Sequence, residues 1–245
     1  MIEFRNVTKY LGGKKILDDM SFSVREGETF CIVGPSGTGK SVTLNHMIGL
    51  YTADSGYVSV DGRDMAALSA KELSELRMKM GMLFQSGALM NWMTVYDNVA
   101  LPLRERFRLP ENAVRKKVME ILEFLELSAD YMKYPGDVSG GMVKRAGLAR
   151  AVVTNPKVML YDEPTSGLDP VMSRKIDQLI LALKKRFNMT SVVVTHDLCS
   201  AFGIADRIAM MAGGRIVACG TPDDFAASSN SLVKEFIAAQ FANGM

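Results

Sequence analysis

Residues 34–41 read Gly34-Pro35-Ser36-Gly37-Thr38-Gly39-Lys40-Ser41, and this octapeptide limits what the chain can fold into more than any other feature. It follows Thr29-Phe30-Cys31-Ile32-Val33, a continuous apolar run of the kind buried on both faces of a sheet. It leads into Gly39 to Leu50, a stretch of helical character. A glycine-rich loop between strand and helix lets successive backbone N–H groups turn inward around phosphate oxygens, with no Cβ in the way. The helix that starts there adds its positive dipole end. The spacing G-x-x-x-x-G-K-[ST] then gives each position a task. Gly34, Pro35, Ser36, Gly37, Thr38 and Gly39 form the cradle, Lys40 reaches the β- and γ-phosphates, and the Ser41 hydroxyl ligates Mg²⁺. Thr43, on the same helix, is counted among the nucleotide-binding residues.

A second run, Val158-Met159-Leu160-Tyr161-Asp162-Glu163, supplies what such a cradle lacks. Four apolar residues predict a buried strand, and a parallel strand delivers its last residues to the edge where ligands bind. Asp162 is placed to hold the metal. Two adjacent carboxylates repel unless a cation relieves one of them, which leaves Glu163 as the candidate general base for an attacking water.

The rest of the chain predicts an α/β fold of the P-loop NTPase type. Ser191-Val192-Val193-Val194-Thr195 is another buried strand, and the helical pattern Val171 to Phe187 separates it from the previous one. Such alternation gives a parallel sheet with crossover helices. Alternating apolar residues predict short strands at Ile2 to Val7 and Met20 to Val24, and Tyr57 to Val60 runs into an Asp61-Gly62 turn. Arg207 to Met211 and Arg215 to Ala218 flank Gly213-Gly214 as a hairpin. From Thr94 to Arg150 no strand is evident, while Val114, Val118, Ile121, Leu122 and Leu125 keep the rhythm of one helix face. This stretch is a helical insertion in the core.

Composition excludes several functions. In 245 residues the net charge is only +2, too even for a protein that wraps nucleic acid. The three cysteines and two histidines have no metal-site spacing, which predicts reduced thiols. No apolar run reaches the roughly 18 residues of a membrane span.

Val138-Ser139-Gly140-Gly141-Met142-Val143-Lys144-Arg145 narrows the reading further. Ser139 and Gly141 open a helix, so a hydroxyl, backbone N–H groups and a dipole face an anion. The run resembles the signature motif of ATP-binding cassette (ABC) ATPases, and other motifs of that family occur in its order. Gln85 matches the Q-loop, Ser166-Gly167-Leu168-Asp169 the D-loop and His196 the switch histidine, and Tyr10 stands where the family stacks an aromatic on adenine. The resemblance extends to about residue 226. It implies a RecA-like parallel-sheet core with an N-terminal antiparallel β subdomain and an inserted helical subdomain. The core is 1–84 and 157–226, the helical subdomain 85–156, and a helical tail 227–245. It also implies a head-to-tail homodimer that sandwiches two ATP molecules. Ser139, Gly140 and Gly141 then complete the partner's site, Asp169 lines the seam, Gln85 joins Ser41 and Asp162 around Mg²⁺, and His196 steadies the γ-phosphate.

Met142 departs from the family, which mostly has Gln there. The Ser-Gly-Gly-Met variant is similar to the ATPases of Mla/Mce-type phospholipid transporters, as are Phe84-Gln85-Ser86-Gly87-Ala88-Leu89 and Met93-Thr94-Val95-Tyr96-Asp97-Asn98-Val99-Ala100. That likeness implies a membrane permease (MlaE-like), an Mce-domain substrate-binding protein (MlaD-like) and a STAS-type protein (MlaB-like) as partners. It also implies a position on the cytoplasmic face of the inner membrane. Ala88 to Met93, with Trp92, either packs the insertion or forms an apolar surface for the permease. His46 is expected to serve packing alone. The rival reading, a soluble ABC ATPase of DNA repair or translation, is disfavoured by the single cassette and the even charge.

Overall fold

The computed structural model describes residues 1–241. In chain order, β1 (Ile2–Leu11), β2 (Lys14–Val24), β3 (Thr29–Val33), α1 (Lys40–Met47), β4 (Ser55–Val60), β5 (Arg63–Asp64) and α2 (Ala70–Arg77) come first. The middle holds β6 (Met80–Leu83), α3 (Val95–Glu105), α4 (Glu111–Phe124), α5 (Gly140–Val152), β7 (Val158–Asp162) and α6 (Pro170–Phe187). The chain continues with β8 (Thr190–Thr195), α7 (Leu198–Ile204), β9 (Arg207–Ala212), β10 (Arg215–Gly220), α8 (Pro222–Ala226) and α9 (Ser231–Phe241). These elements form two compact units, one built from 1–76 with 190–245 and the other from 77–189. No described helix is long and apolar enough to cross a membrane.

The first unit holds two sheets. The antiparallel one runs β2-β1-β4-β5, with Phe4 opposite Phe22 and Ile2 opposite Val60. β1 and β2 are longer than the short strands predicted from alternation. The register shifts past Phe4, where Asn6 and Asp19 both adopt positive φ, and Asn6 Nδ2 donates to Asp19 Oδ1 at 2.8 Å. These bulges break the period of two without ending the pairing. The other sheet places β3 parallel to both β8 and β9, with β10 antiparallel to β9. All five residues of β3 and all six of β8 are buried, as continuous apolar runs require. Phe22 stacks on Phe4 at 4.6 Å and on Phe30 at 5.4 Å, so one aromatic column links β1, β2 and β3.

In the second unit β6 pairs parallel with β7, Met80 opposite Val158 and Leu83 opposite Tyr161. The sequence analysis finds no strand at Met80–Leu83. Gly81 disguises it: a Cβ there would lie 2.4 Å from the Ala151 carbonyl oxygen, so close packing demands the one residue that weakens a strand signal. Thr94 caps α3 by accepting from the Asp97 N–H, Asp169 caps α6 through two N–H groups, and Asn188 ends α6 in the left-handed conformation. Val114, Val118, Ile121, Leu122 and Leu125 are buried along one face, as their spacing predicts.

Candidate functional site

The glycine-rich loop lies in the first unit, between β3 and α1. Gly34, Gly37 and Gly39 all have positive φ, and Gly39 is the N-cap of α1. Two of them are also packed. A Cβ on Gly34 would stand 2.3 Å from the Met211 carbonyl oxygen, and one on Gly39 would press on Met211, Ile16 and Leu17. Gly37 faces open space, so its φ alone selects glycine. Lys40 is 6% exposed and donates from Nζ to the carbonyls of Gly34 at 2.8 Å and Pro35 at 3.0 Å. Thr38 Oγ1 donates to the same Pro35 carbonyl at 2.9 Å. The ammonium is therefore held inside the loop at the start of a helix, where dipole and cation both attract phosphate.

Thr43 is placed differently from the loop residues. Its side chain is fully buried, and its hydroxyl bonds the Gly39 carbonyl at 3.2 Å beside Met20 Sδ. It faces the core and stiffens α1 from behind the cradle. The helical rhythm accounts for this, because Thr43 lies between buried Leu44 and Lys40 on the inward face of α1.

Two further expected residues belong to this unit. Tyr10, near the end of β1, is 48% exposed, and its backbone is pinned by the Asp54 carboxylate. Lys15 Nζ lies 5.8 Å from its ring centroid, so the ring offers a face in a cationic setting. His196 follows the last residue of β8 and is exposed. His46 is the opposite case. It is 1% exposed with Nδ1 on the Val42 carbonyl, and burial pushes its basicity below the ordinary value of 6.5. Packing is its role.

The second unit gathers Gln85, Ser139, Gly140, Gly141, Asp162, Glu163 and Asp169. Asp162 is the last residue of β7, and Glu163 follows it with φ of 50°. A glutamate in the left-handed region is uncommon, and such backbones concentrate where function requires them. Gln85 follows β6, and its Nε2 donates to Ser166 Oγ at 3.3 Å. Ser139 caps α5, accepting from the Met142 N–H at 3.4 Å. Gly141 approaches Met172 so closely that a Cβ would sit 2.8 Å from its Cγ. The Asp169 carboxylate accepts from Val171 and Met172 N–H groups at 2.9 and 3.0 Å, so it shapes the start of α6.

Three residues of α5 escape the sequence analysis as functional candidates. Lys144, 5% exposed, donates from Nζ to the Gln85 carbonyl, and to the Glu163 carbonyl at 3.1 Å. Burial pushes its ammonium below the usual lysine range, while the Glu163 and Asp162 carboxylates pull it back up. Arg150 donates to the carbonyls of Ala88 at 2.7 Å and Gly87 at 3.0 Å. Arg145 does the same for Leu125 and Glu126, both at 2.9 Å. The signature helix thus grips the segment after β6, the end of α4 and the end of β7 through cations on backbone oxygens, with Lys144 and Arg145 buried and Arg150 half-buried. The available signal is that all three sit among the apolar Ala146, Leu148, Ala149 and Ala151.

A hard cation prefers oxygen donors. The Ser41 hydroxyl in the first unit, and the Gln85 amide oxygen and Asp162 carboxylate in the second, are donors of that kind. Among the described residues no group of three or more His, Cys, Asp and Glu is arranged to hold a metal.

Comparison with known proteins agrees with this chemistry. The family model for the ABC transporter matches residues 17–166. The probable ribonucleotide transport ATP-binding protein mkl of Mycobacterium leprae is 42% identical over 96% of this chain and 68% of its own length. The chain spans 66% of the Mycobacterium tuberculosis counterpart. The intermembrane phospholipid transport system ATP-binding protein MlaF of Haemophilus influenzae is 39% identical over 97% of this chain and 90% of its length. The methionine import ATP-binding protein MetN of Clostridium acetobutylicum is also 39% identical, over 97% of this chain and 74% of its own. A dimeric ATP-binding cassette bound to ADP and Pi superposes with a TM-score of 0.83 at 34% identity, covering 91% of this chain and 99% of that one. The chain belongs to the ABC transporter family and is one of its ATP-binding, ATP-hydrolysing domains.

Proposed function

We propose that this ATPase powers the movement of phospholipid between the bacterial inner membrane and the outer envelope. The carrying observation is the Ser139-Gly140-Gly141-Met142 opening of α5, where a thioether replaces the usual amide. The likeness to MlaF, which extends over 90% of that protein, supports it. In this reading the chain works as a homodimer on the cytoplasmic face of the inner membrane. It is attached through an MlaE-like permease that acts with MlaD-like and MlaB-like partners.

Hydrolysis follows from the residues. Lys40 and the cradle N–H groups bind the triphosphate, and Tyr10 stacks on the base. Ser41, Gln85 and Asp162 would hold Mg²⁺, which would supply charge neutralisation to the phosphate. Glu163 takes the proton of the attacking water. His196 donates toward the γ-phosphate as charge builds there, and Ser139, Gly140 and Gly141 of the second copy do so from the opposite side. Asp169 lines the seam between copies.

The mkl and MetN relatives favour a second reading, in which the same engine serves another cargo. Co-purification with the permease, followed by mass spectrometry of extracted lipid, separates the two. Stoichiometric phospholipid supports the first reading, and a different cargo in its place overturns it.

A further inference from the structure

The loop that carries His196 is held by a side chain far along the sequence. Gln240, on α9, donates from Nε2 to the His196 carbonyl at 2.9 Å, and its Oε1 accepts from the Leu198 N–H at 3.3 Å. One amide therefore brackets residues 196–198, using the donor and the acceptor that a carboxamide carries side by side. Asp197 adds two further bonds to this loop. Its N–H donates to Thr195 Oγ1 at 3.0 Å, and its Oδ1 accepts from the Ser200 N–H at 3.2 Å.

α9 is anchored well enough to act as a strut. Val233 is fully buried, and Asn230 binds both ends of its approach, donating to the Val217 carbonyl at 3.1 Å and accepting from the Leu232 N–H at 2.9 Å. Phe225 of α8, 2% exposed, packs edge-on against Phe202 of α7 with centroids 6.1 Å apart. The tail helices and the helix that follows His196 thus share one packing cluster in the first unit.

We propose that Gln240 is a positioning residue for ATP hydrolysis, fixing the backbone on both sides of His196 so that its imidazole is presented to the terminal phosphate. The proposal rests on the reading of His196 as the γ-phosphate contact. A displacement of about 1 Å in such a group is enough to cost up to roughly 10²-fold in rate. α9 thereby belongs to the catalytic apparatus although Gln240 touches no substrate.

The test is steady-state and single-turnover ATP hydrolysis by the full chain carrying Gln240→Ala or Gln240→Glu, each alone and combined with His196→Ala. Gln240→Glu keeps the side-chain length and the acceptor for Leu198, but sets an oxygen against the His196 carbonyl. It remains informative should the alanine variant fold poorly. Each Gln240 variant is expected to lower kcat by roughly 10- to 100-fold and to leave KM for ATP within about twofold. Neither is expected to cost anything further in the His196→Ala background, because residues that act through one another are not additive. A loss carried by KM, or one that multiplies undiminished onto His196→Ala, overturns the proposal. So does wild-type turnover by the Gln240 variants when His196→Ala is crippled, and in that case the histidine reading survives. Wild-type turnover by His196→Ala instead removes the histidine reading and the proposal with it.

Discussion

The glycine-rich loop and the signature helix use their backbones in opposite ways. In the loop the backbone sets the shape: Gly34, Gly37 and Gly39 take positive φ, and the only long side chain, Lys40, folds back onto the loop's own carbonyls. Around α5 the side chains do the holding, and Lys144, Arg145 and Arg150 seize carbonyls from segments 19 to 63 residues away. The first device is local and works by removing side chains. The second is long-range and works by burying charge. A loop of this kind is recognised by spacing, whereas a buried cation is recognised only once its acceptors have been brought to it.

The sharpest break between the regions is expected at the end of β7. Glu163→Gln should lower turnover by roughly 10²- to 10⁴-fold while keeping nucleotide affinity, as phosphate release and equilibrium binding will show. It should also accumulate an ATP-bound dimer on size exclusion. Wild-type turnover would move the base elsewhere. Next is Lys144→Met, which takes the donor from both the Gln85 and Glu163 carbonyls and should cost about 3 kcal/mol in denaturant unfolding. Lys144→Arg should recover part of this. If the methionine variant is as stable as the parent, charge burial is not what holds the signature helix to its neighbours.

The loop can be tested against itself. Gly34→Ala forces a Cβ to 2.3 Å from the Met211 oxygen and should cost roughly 2–3 kcal/mol. Gly37→Ala meets nothing and should cost only about 1 kcal/mol, for its backbone conformation. Equal costs would mean that close packing plays no part. The pH-dependent effect belongs to His46. Burial lowers its folded basicity below the ordinary value of 6.5, so near that pH the unfolded chain binds more protons. Stability should be fully present above about pH 6.5 and fall as the pH drops below it, by at most about 1.4 kcal/mol per unit. His46→Gln should flatten that slope in pH-dependent melts.

The legible parts of the molecule were those whose physics is local. The continuous apolar runs of β3, β7 and β8, the helix face from Val114 to Leu125 and the helix opening at Ser139 all declare themselves within a few residues. β6 did not, because Gly81 is selected by the Ala151 oxygen packed against it. The full lengths of β1 and β2 did not, because bulges at Asn6 and Asp19 break the alternation. The burial of Thr43 was hidden for a related reason: it is near the cradle along the chain, yet the turn of α1 directs its side chain into the core.

By itself the sequence determined the chemistry on offer: a phosphate cradle, a carboxylate pair, a helix opening on small residues and a histidine after a buried strand. Each depends on residue type and on spacings of no more than about two turns of helix. Only the tertiary structure decided which groups restrain these motifs. Lys144 bonds oxygens 59 and 19 residues distant, and Gln240 bonds a loop 44 and 42 residues upstream. A backbone carbonyl carries no residue identity, so a side chain that binds one leaves no matching partner in the sequence for any pattern to find.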